Sequence, residues 1–166
     1  MAPQQQPDQI SVLFCCLGNI CRSPMAEAVF ADLVTKAGLR DRFAKIDSCG
    51  TGDYHEGEEP DERTTALCNR KKIPIDCLAR GVKQEDFHTF DYILGMDVNN
   101  VRNLKNMAPR GAKATIKMFG DFDDGKPIAD PYYQGGKNGF EITYEQVLRY
   151  SHAFLRDLGL GQSSQL

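Results

Sequence analysis

Apolar and polar positions switch between two periods along this chain. Ile10 to Cys15 is a nearly continuous run of β-favouring apolar residues, the pattern of a strand buried on both faces of a parallel sheet. From Pro24 the period lengthens. Met25, Val29 and Leu33, with Ala26, Phe30, Val34 and Ala37, fall on one helical face, and Gly38 supplies a stop. Ser23 reads as the N-cap of that helix, with Pro24 at the first position, where a missing N–H has no partner to lose. A short loop, 16–22, joins strand to helix.

The alternation then repeats. Phe43–Ser48 reads as a strand, Asp61–Lys72 as a helix and Tyr92–Met96 as a strand; Asp97 caps a helix ending near Pro109, and Ala114–Phe119 forms a fourth strand. A loop rich in Asp, Gly and Pro fills 120–139, a length that usually marks function or disorder. The last helix runs from about Tyr144 to Leu158 with Val147, Leu148, Ser151, Phe154, Leu155 and Leu158 inward. Strands alternating with helices predict a parallel α/β sandwich. Both ends lack periodicity, so the expected organisation is a disordered tail at 1–9, one domain at 10–158 and a flexible tail at 159–166.

Composition narrows the choice of partners. A length of 166 residues with 41% hydrophobic positions suits one domain with its own core. A formal charge of −3, from 20 basic and 23 acidic residues, gives no broad positive field for nucleic acid. Any anion site must therefore be local. No apolar run is long enough to span a bilayer, and the start carries no signal-like segment, so the reading is a cytoplasmic, soluble chain without membrane contact. The six cysteines, at 15, 16, 21, 49, 68 and 77, read as cytosolic thiols. No CxxC pair is present and His55, His88 and His152 are far apart in sequence, so no zinc site is expected.

Chemistry concentrates in Cys16-Leu17-Gly18-Asn19-Ile20-Cys21-Arg22-Ser23. A thiol at the carboxyl end of a strand stands six residues before an arginine, at the mouth of a helix. The loop N–H groups can converge as a nest, the helix terminus adds partial positive charge, and Arg22 can grip two phosphoryl oxygens with its planar fork. Gly18 allows close backbone approach, and Asn19 suits a left-handed conformation and can brace the loop. The same fields favour a Cys16 thiolate at neutral pH, with the Ser23 hydroxyl donating to the sulfur. Thiolate attack on phosphorus needs a proton for the leaving group. Asp130, before Pro131 in the long loop, is the candidate acid, and Tyr54, Tyr132 and Tyr133 are candidate aromatic walls, or else ordinary half-buried aromatics.

With these residues in place, the chain resembles the low-molecular-weight protein-tyrosine phosphatases over residues 10–158, through VLFCCLGNICRSPMAEAVF at one end and DPYY at the other. The resemblance implies a four-stranded parallel sheet with helices on both faces, no metal or cofactor, and hydrolysis of phosphotyrosine in proteins with Cys16 as nucleophile and Asp130 as acid, then base. It implies that Asn19 and Ser48 hold the loop, and that Cys21 is a redox partner forming a reversible disulfide with Cys16. The chain is taken as a monomer, with weak self-association left open.

Three features depart from that pattern. Near Arg70-Lys71-Lys72 relatives carry a histidine that supports the loop serine, Cys15 replaces an aliphatic residue, and Asp53–Glu59 is strongly acidic, which disfavours acidic phosphopeptides at low salt. Cys49, Cys68 and Cys77 read as apolar fillers, and the three histidines as structural or solvated. Two rival enzymes share the fold: an arsenate reductase, with Cys68 and Cys77 taking over the redox step, and a protein-arginine phosphatase, whose relatives place threonine at the position of Ile20. A phosphotyrosine-binding module without turnover is the non-enzymatic reading.

Overall fold

The computed structural model describes residues 9–131 and 138–161. Four strands, β1 (Ile10–Cys16), β2 (Phe43–Gly50), β3 (Tyr92–Gly95) and β4 (Thr115–Met118), form one sheet in the order β2-β1-β3-β4, every neighbour parallel. Between and after them lie α1 (Arg22–Lys36), α2 (Glu62–Arg70), α3 (Asp86–Thr89), α4 (Val98–Met107) and α5 (Gly139–Asp157). This is the expected α/β sandwich.

The unbroken apolar run in β1 follows from its central place. Val12, Phe14 and Cys16 point into one core with Phe30, Leu67 and Phe154, which belong to α1, α2 and α5. Leu13 and Cys15, alternating with them, enter a second core with Phe87 of α3, Ile93 and Leu104 of α4. A strand covered on both faces has no polar side to show. Phe14 anchors the larger core, its ring centroid 5.6 Å from that of Phe30 and 5.1 Å from that of Phe119.

Several boundaries and one bond differ from expectation. Helix α1 starts at Arg22, with Cys21 as an N-cap lacking a side-chain bond, so Ser23 is not the cap. Its hydroxyl is used elsewhere, near Cys16 Sγ and Cys49 O. Helix α5 begins at Gly139, earlier than predicted, because Phe140 and Thr143 continue its buried stripe. The short α3 was missed. Asp86 accepts a hydrogen bond from Lys83 N at 2.7 Å at its start, a local turn signal that hydrophobic spacing does not carry.

The six cysteines are not all thiols. Cys15 and Cys49 are direct register partners across β1 and β2, with Cα atoms 5.0 Å apart, and they form a disulfide. Parallel pairing brings together side chains that sequence distance keeps 34 residues apart. At the carboxyl end, Leu160 packs on the larger core, and its N–H reaches Leu155 O. Among the described residues no helix is long and apolar enough to cross a membrane.

Candidate active site

Strand β1 ends at Cys16 and α1 starts at Arg22, so 17–21 must turn the chain within one loop. Asn19 makes the turn in the left-handed region, φ 58°, which asparagine tolerates better than most residues. The loop carbonyls are tied outward. Cys16 O accepts from Thr51 N at 2.8 Å, Leu17 O from Gly52 N at 3.0 Å, Ile20 O from Asp61 N at 2.8 Å, and Cys21 O from Thr64 Oγ1 at 3.3 Å. Because a trans peptide sets its N–H opposite its carbonyl, the N–H groups of Leu17, Gly18, Cys21 and Arg22 turn toward the concave side. The outer brace approaches so closely that a Cβ at Gly50 would lie 2.7 Å from Leu17 O.

Beneath the loop the Asn19 amide acts as a hub. Its Nδ2 donates to Ser23 Oγ at 2.8 Å and Ser48 Oγ at 3.0 Å, while its Oδ1 accepts from Arg80 N at 3.0 Å. Cys16 Sγ lies 3.0 Å from Ser23 Oγ and accepts from Asn19 N at 3.3 Å. Ser48 Oγ in turn donates to Glu27 Oε1 at 2.6 Å.

Arg22 is 3% exposed. Its Nη1 donates to Asp97 Oδ2 at 2.7 Å and Ile128 O at 2.9 Å, and its Nη2 lies 3.6 Å from Asp130 Oδ2. Asp97 does two things at once. Its Oδ1 accepts from Asn100 N at 2.8 Å, capping α4 as expected, and the other oxygen fixes the guanidinium plane.

Above this floor opens a cavity of about 370 Å³ lined by Cys16, Leu17, Gly18, Ile20, Cys21, Arg22, Tyr54, His55 and Asp130. Cys16 and Arg22 thus share one space with Asp130, which is far from both in sequence. Asn19 and Ser23, expected among the phosphate-binding residues, sit behind the wall as braces. Tyr54 reaches the mouth and is 73% exposed; Tyr132 and Tyr133 lie outside the described residues. His55, expected to be structural or solvated, is instead part of the wall. It covers Gly18 so closely that a Cβ there would meet its Cδ2 at 2.9 Å, and its Nδ1 is bonded to the Glu58 carboxylate.

The other cysteines have distinct surroundings. Burial, then the charges of Asp61, Cys16 and Asp130, push the Cys21 thiol up to about 12. Burial is also the main cause that raises Cys68 to about 11 and Cys77 to about 12, and neither lines the cavity. Lys71, at the segment where relatives carry a histidine, pairs with Glu141 at 2.9 Å and covers the Tyr144 ring of α5. Support for the serines comes from Asn19 and Glu27. Asp97, Glu27 and Arg80 were missed from sequence. The helix cap was legible at Asp97, but nothing local couples it to Arg22, 75 residues away.

A sequence profile described as "Low molecular weight phosphotyrosine protein phosphatase" matches residues 11–163. A protein of that name from Schizosaccharomyces pombe is 48% identical over 152 residues, covering 90% of this chain and 97% of the relative. A protein tyrosine phosphatase from Entamoeba histolytica, solved with Hepes in its active site, superposes with a TM-score of 0.84 at 34% identity, over 95% of this chain and 100% of the other. A Drosophila arginine phosphatase gives a TM-score of 0.83 at 35% identity, over 89% and 97%. A match of this extent makes the chain a member of the low molecular weight phosphotyrosine protein phosphatase family, and a phosphatase.

Proposed function

We propose that the chain hydrolyses phosphotyrosine in proteins, and small aryl phosphates, through a phosphocysteine intermediate. The observation that carries this reading is the sharing of one cavity by Cys16, Arg22 and Asp130, with Asn19 N donating to Cys16 Sγ and Ser23 Oγ 3.0 Å from it. The sulfur attacks phosphorus, the bond to the phenolic oxygen breaks, and Asp130 gives that oxygen its proton. Asp130, now a carboxylate, takes a proton from water as the water attacks the phosphocysteine. The P–S bond breaks, releasing phosphate and restoring the thiolate. Arg22 and the inward N–H groups hold the equatorial oxygens, whose charge is the main thing to be stabilised.

The rest of the reading goes with it. The partners are phosphotyrosine-containing proteins met in the cytoplasm by a monomer; residues 10–158 act as one unit, and no cofactor takes part. Cys21, on the same wall as Cys16, serves as redox partner. Peroxide oxidises Cys16 to a sulfenic acid, and Cys21 displaces its hydroxyl as water to form the disulfide, which a thiol reductant reverses. Mass mapping after mild peroxide should show Cys16 joined to Cys21; Cys16 found only as sulfinic or sulfonic acid would remove that role.

A second reading, a protein-arginine phosphatase, is favoured by the likeness to the Drosophila arginine phosphatase. Against it, the wall position where such relatives carry threonine is Ile20, which offers no hydroxyl. The deciding experiment compares p-nitrophenyl phosphate, phosphotyrosine, phosphoserine and phosphoarginine with wild type and Cys16→Ser, with reductant and without added metal. Turnover of the aryl esters alone, lost in the variant, is the expected result. Preference for phosphoarginine would favour the second reading, and arsenate reduction without phosphatase activity would reassign the site.

A further inference from the structure

Glu27 stands on α1 one turn beyond Ser23, outside the cavity, yet it terminates a continuous chain of hydrogen bonds that begins at the nucleophile. From Cys16 Sγ the links are Ser23 Oγ at 3.0 Å, Asn19 Nδ2 at 2.8 Å, Ser48 Oγ at 3.0 Å and Glu27 Oε1 at 2.6 Å. Proton counting gives the chain a direction. Asn19 Nδ2 has two hydrogens and no acceptor capacity, so it donates to both serines. Ser48 has one hydrogen. A carboxylate at Glu27 takes it, which presents the Ser48 lone pairs to Asn19. Asn19 then fills an acceptor site on Ser23, whose own hydrogen is left for Cys16 Sγ or Cys49 O.

We propose that Glu27 is a positioning residue of the phosphate loop, acting through Ser48 and Asn19 on Ser23 and Cys16. This rests on the Cys16 chemistry proposed above. The surroundings of Glu27 make its ionisation matter. Burial first, then Asp47 and Asp76, raise its pKa to about 7, against the pull of Ser48 and Arg80, and the Cys77 thiol adjoins the same pair. Above that pH the bond from Ser48 is charge-assisted, and below it the bond joins neutral groups. The stability sign is opposite. A carboxyl with a pKa of 4.5 unfolded and about 7 folded contributes fully below 4.5, and that contribution is lost as pH rises through about 7. The ionised form therefore orders the loop while weakening the fold.

Glu27→Gln separates these effects, because glutamine is an uncharged isostere of protonated glutamate. At pH 5.5 the variant should match wild type in kcat for p-nitrophenyl phosphate. At pH 8 kcat should fall about threefold to tenfold, with KM within about twofold, while Tm rises above that of wild type. A group that only held the fold would move activity and Tm together. Ser48→Ala should lower kcat similarly, and the double variant should be no worse than Ser48→Ala alone. A variant-to-wild-type ratio of kcat that is flat from pH 5.5 to 8, or additive losses in the double variant, would overturn the proposal while leaving Cys16 as nucleophile. Turnover surviving in Cys16→Ser would overturn both.

Discussion

The segments 16–23 and 53–59 both contribute lining to the same cavity but are held in different ways. In the floor, Asn19, Cys16, Cys21, Arg22 and Ser23 are all buried, and the Asn19 side chain alone makes three hydrogen bonds. At the mouth, Asp53, Tyr54, Glu56, Glu58 and Glu59 are exposed, and the segment is anchored through backbone pairs such as Gly57 N to Ala79 O and Ala79 N to Glu58 O. In the proposed reaction the floor binds an anion whose shape never changes. The mouth meets whatever surrounds that anion. On that proposal, rigidity lies where the transition state would form, and adaptable side chains where substrates differ.

Asp130 belongs to the upper part of the cavity yet is held against floor residue Arg22, so it gives the sharpest test of that division. Asp130→Asn should lower kcat for phenyl phosphate by about 100- to 1,000-fold, and for p-nitrophenyl phosphate by less, since its leaving group needs less protonation. Equal losses for both esters would remove Asp130 from proton donation. Next in size is Asn19→Ala, which breaks the hub and puts alanine at φ 58°. Urea unfolding should show about 3 kcal/mol of destabilisation, with kcat down by about 10-fold or more. Were kcat unchanged, the floor would not need its braces.

Asp97→Asn keeps an oxygen for capping α4 but weakens the charge facing Arg22. The expected loss in kcat/KM is about threefold to tenfold, and inhibition by inorganic phosphate should change in parallel. Smallest of all should be the effect of the mouth. Phosphotyrosine peptides with acidic flanks should show kcat/KM about two- to fivefold below lysine-flanked ones at low salt, the gap closing in about 0.5 M salt. An acidic-flank advantage would mean that residues 53–59 do not face the peptide.

What could be read without coordinates divides along the same line. The loop 16–22 was legible because its chemistry is compact: one thiol, one left-handed position and one arginine between a strand and a helix. Strand β1 was legible because its apolar run is nearly continuous, whereas β2 and β4 mix apolar residues with Lys45, Asp47 and Lys117 and were read from the repeating alternation of strands and helices. Asp130 needed its pairing with the cysteine loop, since Asp-Pro alone is an ordinary turn. Asp97, Glu27 and Arg80 were hidden, each joined to the site by a bond that spans many residues and leaves no periodic trace. Ser23 misled, because a hydroxyl beside a helix start looks the same whether it caps that helix or serves a sulfur. Cys15 and Cys49 were misread as separate thiols because strand register, unknown in advance, decides which side chains meet.

Arg22 donates to the carbonyl of Ile128, 106 residues further along the chain. During synthesis the entire sequence from Cys16 to Ser23 leaves the ribosome long before that acceptor exists, and loop closure over such a distance comes late in folding. The nascent chain therefore carries Cys16 before the bonds that hold Arg22 in place can form. Recovery of turnover on refolding should report the last docking event, lagging the return of helical signal rather than tracking it.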